Sequence, residues 1–460
     1  MTRKRPRRRT RLAASTALLA CVAAVAVALR AASTPATYPQ AAPPSPSATS
    51  LAVSHTLTAD EEAFLDDLQH RSFRYFEEQA DPTTGQVRDR ARTDGSPHDE
   101  GHRDVASIAA TGFGLTGLCI AAERGWLPRG EATQRARATI VFLAEHMPHE
   151  RGWFYHFVNA RTGAREWKSE LSSIDTALLM AGVLTARQCF SDDPALVAAA
   201  TATYRRIDFP WMLNGHPHLL SMGWKPESGF LEARWEHYCE LMILYLLAIG
   251  SPSHAIAAGS WHAWERPVMK FDGFEYISHA DPLFVHQFSH AWVDFRGRQE
   301  KRPPHIDWWR NSITATRAHK AFCLSLSKTF PGYTDDVWGI TASDGPQGYH
   351  AWGGPPGQGP IDGTVVPCAA AGSLMLTPDI SLPALKTMKV RFGERIYGRY
   401  GFADAFHPTT GWVNPDVIGI DVGISLLSAE NLRSGNVWRW FMANPEVPRA
   451  MERVGLVGKD

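Results

Sequence analysis

The chain has 460 residues, 44% hydrophobic and 20% charged, a balance that reads as a globular protein. Formal charge is zero overall, but the first 30 residues hold eight Lys and Arg and no acid. The remainder carries 39 basic against 47 acidic residues, or −8, a sign that argues against a nucleic-acid partner.

Taken in chain order, the basic start runs into "LAASTALLACVAAVAVAL", the pattern of an export signal over residues 1–30. The expected location is therefore periplasmic or extracellular. "LLAC" resembles a lipoprotein box with Cys21 as the lipidated residue, and an uncleaved anchor is the other alternative, so any membrane contact is expected only through this segment. Residues 31–55 are rich in Ala, Pro and Ser and almost uncharged, a flexible linker. Residues 56–460 read as one domain, expected to be monomeric. Its cysteines, Cys119, Cys189, Cys239, Cys323 and Cys368, show no paired spacing and are expected to be small buried apolar residues.

Periodicity in this domain is helical nearly throughout. "TADEEAFLDDLQHRSFRYFEEQ" begins with a Thr cap and an acidic first turn. Similar runs are expected at 104–125, 129–147, 171–191, 194–205, 231–249, 309–327, 364–376, 381–391 and 419–432. Some are apolar all round and others on one side only, which suits an inner and an outer layer of helices, the logic of an (α/α)6 toroid. The Gly/Pro stretch 343–363 is too long for a simple connection and reads as a loop shaping a cleft at one end.

Acids recur before apolar helices. In "REWKSELSSIDTALLMAG" (165–182), Glu166 and Glu170 are also explained by helix capping, but Asp175 sits among apolar residues. In "FLEARWEHYCELMILYLLAIGSPSH" (230–254), Glu232, Glu236 and Glu240 recur every fourth residue, one face of a helix, and lead into a wholly apolar run. A carboxyl there has a raised pKa, as a general acid needs; ion pairing with Arg234 is the structural alternative. His286, His290 and Asp294 repeat at the same spacing in "FVHQFSHAWVDFRG" (284–297). No motif completes a metal site, so hydrogen bonding to a polar ligand, with Asp294 paired to Arg296, is the more economical reading. Asp416 and Asp421 precede another apolar helix. Three such entrances favour a convergent acidic cleft. The 16 tryptophans supply flat apolar platforms of the kind sugar rings stack on.

There is no Gly-rich phosphate fingerprint, nucleophile elbow or HExxH, and neither cofactor nor metal is expected. Carboxylates with tryptophans on a helical toroid point to glycoside hydrolysis. A polysaccharide lyase using Tyr238 or His290, and a noncatalytic glycan-binding lipoprotein, are the rival readings.

"DVASIAATGFGLTGLCIAAERGWL", "SSIDTALLMAG", "GFLEARWEHYCELMILYLLAIGSPSH" and "FVHQFSHAWVDFRG" together resemble the bacterial glycoamylase-like domain family over roughly residues 60–445. That family includes endo-β-1,2-glucanases and the glucan-processing region of cyclic β-1,2-glucan synthases. The resemblance implies an (α/α)6 barrel acting on β-1,2-glucan, with transglycosylation or exo-action as the family's alternatives. By position it places catalytic acids at Glu170 and Glu240, with Glu236 and Asp175 kept as candidates. On the combined reading Glu240 is the general acid, and Glu170 or Asp175 positions water or a sugar hydroxyl. Trp224, Trp235, Trp352 and Trp412 are expected to stack glucose rings. Tyr238, His286, His290, Asp294, Arg296 and Asp416 are expected to bind substrate.

Overall fold

The computed structural model describes residues 55–279, 281–355 and 361–459. The expected export signal, Cys21 and the linker to residue 54 lie outside the described residues, as does the 356–360 part of the Gly/Pro loop. Among the described residues, no helix is long and apolar enough to cross a membrane.

The main helices are α1 (Ala59–Gln79), α2 (Ile108–Arg124), α3 (Arg129–Glu145), α4 (Ser173–Cys189), α5 (Pro194–Arg205), α6 (Met242–Gly250), α7 (Phe288–Trp292), α8 (Trp308–Ser325), α9 (Pro367–Ala371), α10 (Pro378–Phe392), α11 (Gly419–Arg433), α12 (Asn436–Met442) and α13 (Glu446–Arg453). They sort into two layers by burial. Every residue of α6, and all of α4 but Gln188, is buried, whereas α1, α3, α5 and α10 bury one face. Each fully buried Leu or Ile of the inner layer contributes about 2 kcal/mol of hydrophobic stabilisation.

Local chemistry sets the helix ends. Thr58 and Glu61 form a capping box at the start of α1. Ser107 and Ser172 cap α2 and α4, and Gly125 ends α2 at φ 72°, a left-handed conformation that glycine adopts without strain. α2 and α4 meet backbone to backbone: a Cβ on Gly182 would lie 2.0 Å from the Gly112 carbonyl oxygen. Only glycine fits that crossing.

Short strands tie the starts of the inner helices together. β1 (Arg90–Arg92) pairs antiparallel with β6 (Asp416–Ile418), in front of α11. β2 (Val105–Ser107), leading into α2, pairs with β3 (Phe157–Asn159). β4 (Leu171–Ser172), leading into α4, pairs with β5 (Gly223–Lys225). Backbone bonds cross between these ladders: Asp89 donates to Val105, and Gly419 to Asp89. The starts of α2 and α11 are thereby held side by side, and the His156 N–H donating to the Glu170 carbonyl brings the start of α4 beside them.

Three expectations need correction. The helix expected at 231–249 begins only at Met242. The N–H groups of Trp235 and Tyr238 go to Leu220 and Glu265 rather than to carbonyls one turn back. Glu232, Glu236 and Glu240 therefore do not share a helical face. The 364–376 run is helical only over Pro367–Ala371. The 284–297 stretch is a 3-10 turn over Leu283–His286 followed by the short α7, so His286, His290 and Asp294 do not form one helical row. Arg234 donates to the carbonyls of Leu213, Leu219 and Asn214, not to Glu240.

Candidate active site

Glu240 lies two residues before α6, half-buried, with its backbone carbonyl accepting from the Ser289 hydroxyl at 2.7 Å. Burial, reinforced by the negative charges of Asp281 and Asp175, pushes its carboxyl up to about 7. A carboxyl with that value holds its proton near neutrality and can give it up. Glu236 and Glu232 are exposed.

Asp175, in the first turn of α4, belongs to a buried triad. His156 lies 3.1 Å from Glu170 through Nδ1 and 3.6 Å from Asp175 through Nε2. Burial opposes a charge on this imidazole, but the two carboxylates raise it to about 9. Burial also opposes ionisation of Glu170, but the hydrogen bond and charge of His156 hold it down to about 2. Asp175 is raised by burial, against the pull of His156 and of Ser172, whose hydroxyl approaches at 2.5 Å. His156 is thus an imidazolium clamped between two acids, a residue that sequence reasoning passed over.

A second acidic wall stands at the entrance to α11. Asp416 accepts from Arg92 and lies 3.0 Å from His98 Nε2. Arg90 bridges Asp89 at 3.1 Å and Asp344 at 2.8 Å. Burial raises Asp421 to about 6, with the neighbouring Asp404 and Cys368 resisting the shift and the charges of Asp89 and Asp344 adding to it. The acids before α4, α6 and α11 stand at the N-terminal ends of buried helices and act on one another in series, from Glu240 through Asp175 and His156 to Asp89 and Asp421.

The remaining candidates divide. Trp224 and Trp412 are half-buried. Trp235 is 3% exposed and donates to Ser173, and Trp352 is 2% exposed and donates to Ser343, so neither offers an open ring face to a sugar. Tyr238 is buried against His286 at 3.0 Å and stacks on Trp308. Burial holds both His286 and His290 neutral, each down to about 3, and His290 is taken up by Ser312 at 2.8 Å. The expected Asp294–Arg296 pair forms at 2.8 Å, but Arg296 lies over Trp438 of α12, beyond the C-terminal end of α11. That is the helix end opposite Asp421, so the structure does not bring Arg296 and Asp294 together with the carboxylates.

Besides His156, sequence reasoning missed Asp89, Arg90, Asp281, Asp344 and Asp404. Asp404 in "FADAF" and Asp281 in "HADPLF" carried the signal that had picked out Asp175, an acid among apolar neighbours. The others had none.

Residues 232–445 match the Glycoamylase family model, described as putative glucoamylase. An exo β-1,2-glucooligosaccharide sophorohydrolase from Parabacteroides distasonis is 27% identical over 439 residues, covering 87% of this chain. The chain spans 58% of the length of that curated relative. Two solved structures superpose closely. One is a putative glucoamylase from Bacteroides caccae (28% identity, TM-score 0.81, 87% of this chain and 100% of that one). The other is an endo-β-1,2-glucanase from Chitinophaga pinensis in complex with sophorotriose and glucose (26%, 0.80, 88% and 99%). The resemblance to the glycoamylase-like family is borne out.

Proposed function

We propose that this glycoamylase-like chain hydrolyses β-1,2-linked glucan, with Glu240 as general acid, in a cleft at the N-terminal ends of its inner helices. The observation that carries the reading is a half-buried carboxyl poised at about 7 in a wall of acids. The relatives that act on β-1,2-glucan supply the substrate class. On this reading α2, α4, α6, α7, α9 and α11 close into the inner ring of an (α/α)6 toroid.

The chemistry follows from the separated proton affinities. Glu240 protonates the oxygen of the leaving sugar. Asp421, half-buried and shifted only to about 6, is ionised at neutrality and takes a proton from the attacking water. Glu170, held ionised by His156, and Asp175 orient sugar hydroxyls, while Trp224 and Trp412 offer ring faces. The buried Tyr238 leaves the lyase reading without an open base. Residues 1–30 direct export and residues 31–55 tether a monomeric catalytic domain, 56–460, as their composition indicates.

The test is incubation of the protein with linear β-1,2-glucan beside Glu240→Gln, with products followed by chromatography. Sophoro-oligosaccharides from wild type, and a loss of roughly 10²–10⁴-fold in the variant, are expected. A ladder of products marks endo cleavage, and sophorose alone marks exo cleavage. Binding without turnover by either protein would overturn the reading in favour of a glycan-binding protein.

A further inference from the structure

Asp404 follows the short hairpin that ends at Phe402 and is 2% exposed. Its Oδ2 is well served, accepting from the Asn414 amide at 2.8 Å and the Asp344 backbone N–H at 3.0 Å. Its Oδ1 is buried without a hydrogen-bond donor, and so is Oδ2 of Asp421. Both residues line one narrow cavity of about 20 Å³, the size of a single water, together with Cys368 and Ser425.

Two bare carboxylate oxygens facing one small buried space are untenable if both groups are ionised. No cation relieves these two oxygens among the described residues: neither has a hydrogen-bond partner, and Arg90 in the adjoining wall is engaged by Asp89, Asp344 and Asp416. The charged and titratable groups around the pair are Asp344 on the 342–351 hairpin, Asp89 and Arg90 at β1, Asp416 at β6 with its His98, Cys368 on α9, and Tyr400, whose hydroxyl donates to Glu78. Apart from Arg90, a His98 committed to Asp416 and a Tyr400 committed to Glu78, these are acids or a thiol. One proton between the two carboxyls removes the conflict. Asp344 opposes charge on both; the fully buried Asp404 is the one that keeps the proton, and half-buried Asp421 is the one that ionises.

We propose that Asp404 is a positioning residue that retains a proton on Oδ1 at neutral pH and donates it in a hydrogen bond to Asp421 Oδ2, holding Asp421 ionised and aimed at the reacting water. The role rests on the hydrolase reading above. In the reaction the water proton passes to Asp421, while the Asp404 proton stays in place.

The test compares Asp404→Asn with Asp404→Leu. An asparagine reproduces the protonated acid: its carbonyl accepts from Asn414 and Asp344, and its amide donates to Asp421. Expected on β-1,2-glucan is activity within about threefold of wild type for Asn, with an unmoved acid limb of the pH profile. For Leu, kcat should fall by roughly a hundredfold at little-changed KM, with the acid limb displaced to higher pH because Asp421 loses its donor. Infrared difference spectra of wild type minus Asp404→Asn at about pH 8, above the titration of Glu240, should show the carbonyl band of a protonated carboxyl. That measurement needs neither turnover nor a folded Leu variant. An Asn variant as inactive as Leu, or no such band, would overturn the proposal. Absence of any glucan cleavage by wild type would sink the hydrolase reading and with it the positioning role, while the band still decides where the proton sits.

Discussion

Burial raises Glu240 and favours its neutral form, while neighbouring carboxylates raise His156 and favour its charged form, within one site. As a general acid Glu240 must be protonated, so activity should fall as pH rises through about 7; as a base Asp421 must be ionised, so activity should fall below about 6. A narrow bell between these limits is expected in the pH dependence of kcat/KM for linear β-1,2-glucan. A profile flat from pH 5 to 9 would exclude this assignment. The His156–Glu170 pair acts on stability. The imidazole has its affinity raised from 6.5 to about 9, so its contribution is complete below 6.5 and is lost as pH rises through 9. Glu170 is lowered from 4.5 to about 2, so its contribution is present above 4.5 and is lost as pH falls through 2. The difference in Tm between wild type and His156→Gln should therefore be greatest from pH 4.5 to 6.5 and shrink towards pH 9.

At the scale of elements, the α2–α4 crossing is the most exacting contact. Gly182→Ala places a methyl 2.0 Å from the Gly112 carbonyl oxygen, and backbone cannot rotate aside as a side chain can. Urea unfolding should show a loss of about 2 kcal/mol or more for this variant. Ser107→Ala removes only an N-cap and should cost about 1 kcal/mol in the same measurement, leaving the α2–α4 contact intact. α1 and α5 were legible in the sequence because capping and one-sided burial are local. The segment before α6 was not. Its four-residue repeat of glutamates reads as helix, yet its N–H groups are claimed by Leu220 and Glu265, partners that periodicity does not reveal.

For the whole molecule, the composition shifts at residues 30 and 55 carry the proposal that residues 1–54 are dispensable for the folded domain. Removal of residues 1–54 should leave Tm and glucan cleavage unchanged; a drop in either would show that the leader packs on the domain. Helices apolar all round, each announced by acids, suffice to indicate an inner layer with a charged entrance, because burial and dipole preferences are written into neighbouring residues. The members of that entrance are another matter. Glu170 and Asp175 converge on His156 only because the chain before β3 runs beside β4, with the His156 N–H donating to the Glu170 carbonyl, and Asp404 reaches Asp421 only through the return of the chain after α10. Trp235, His286 and His290 looked equally available in the sequence and are walled in by tertiary packing. The sequence by itself determined the helical character, the acid-before-apolar pattern and the resemblance to the glycoamylase-like family. Tertiary structure alone decided which acids keep their protons, because that depends on desolvation and on charges brought near by contacts distant in sequence.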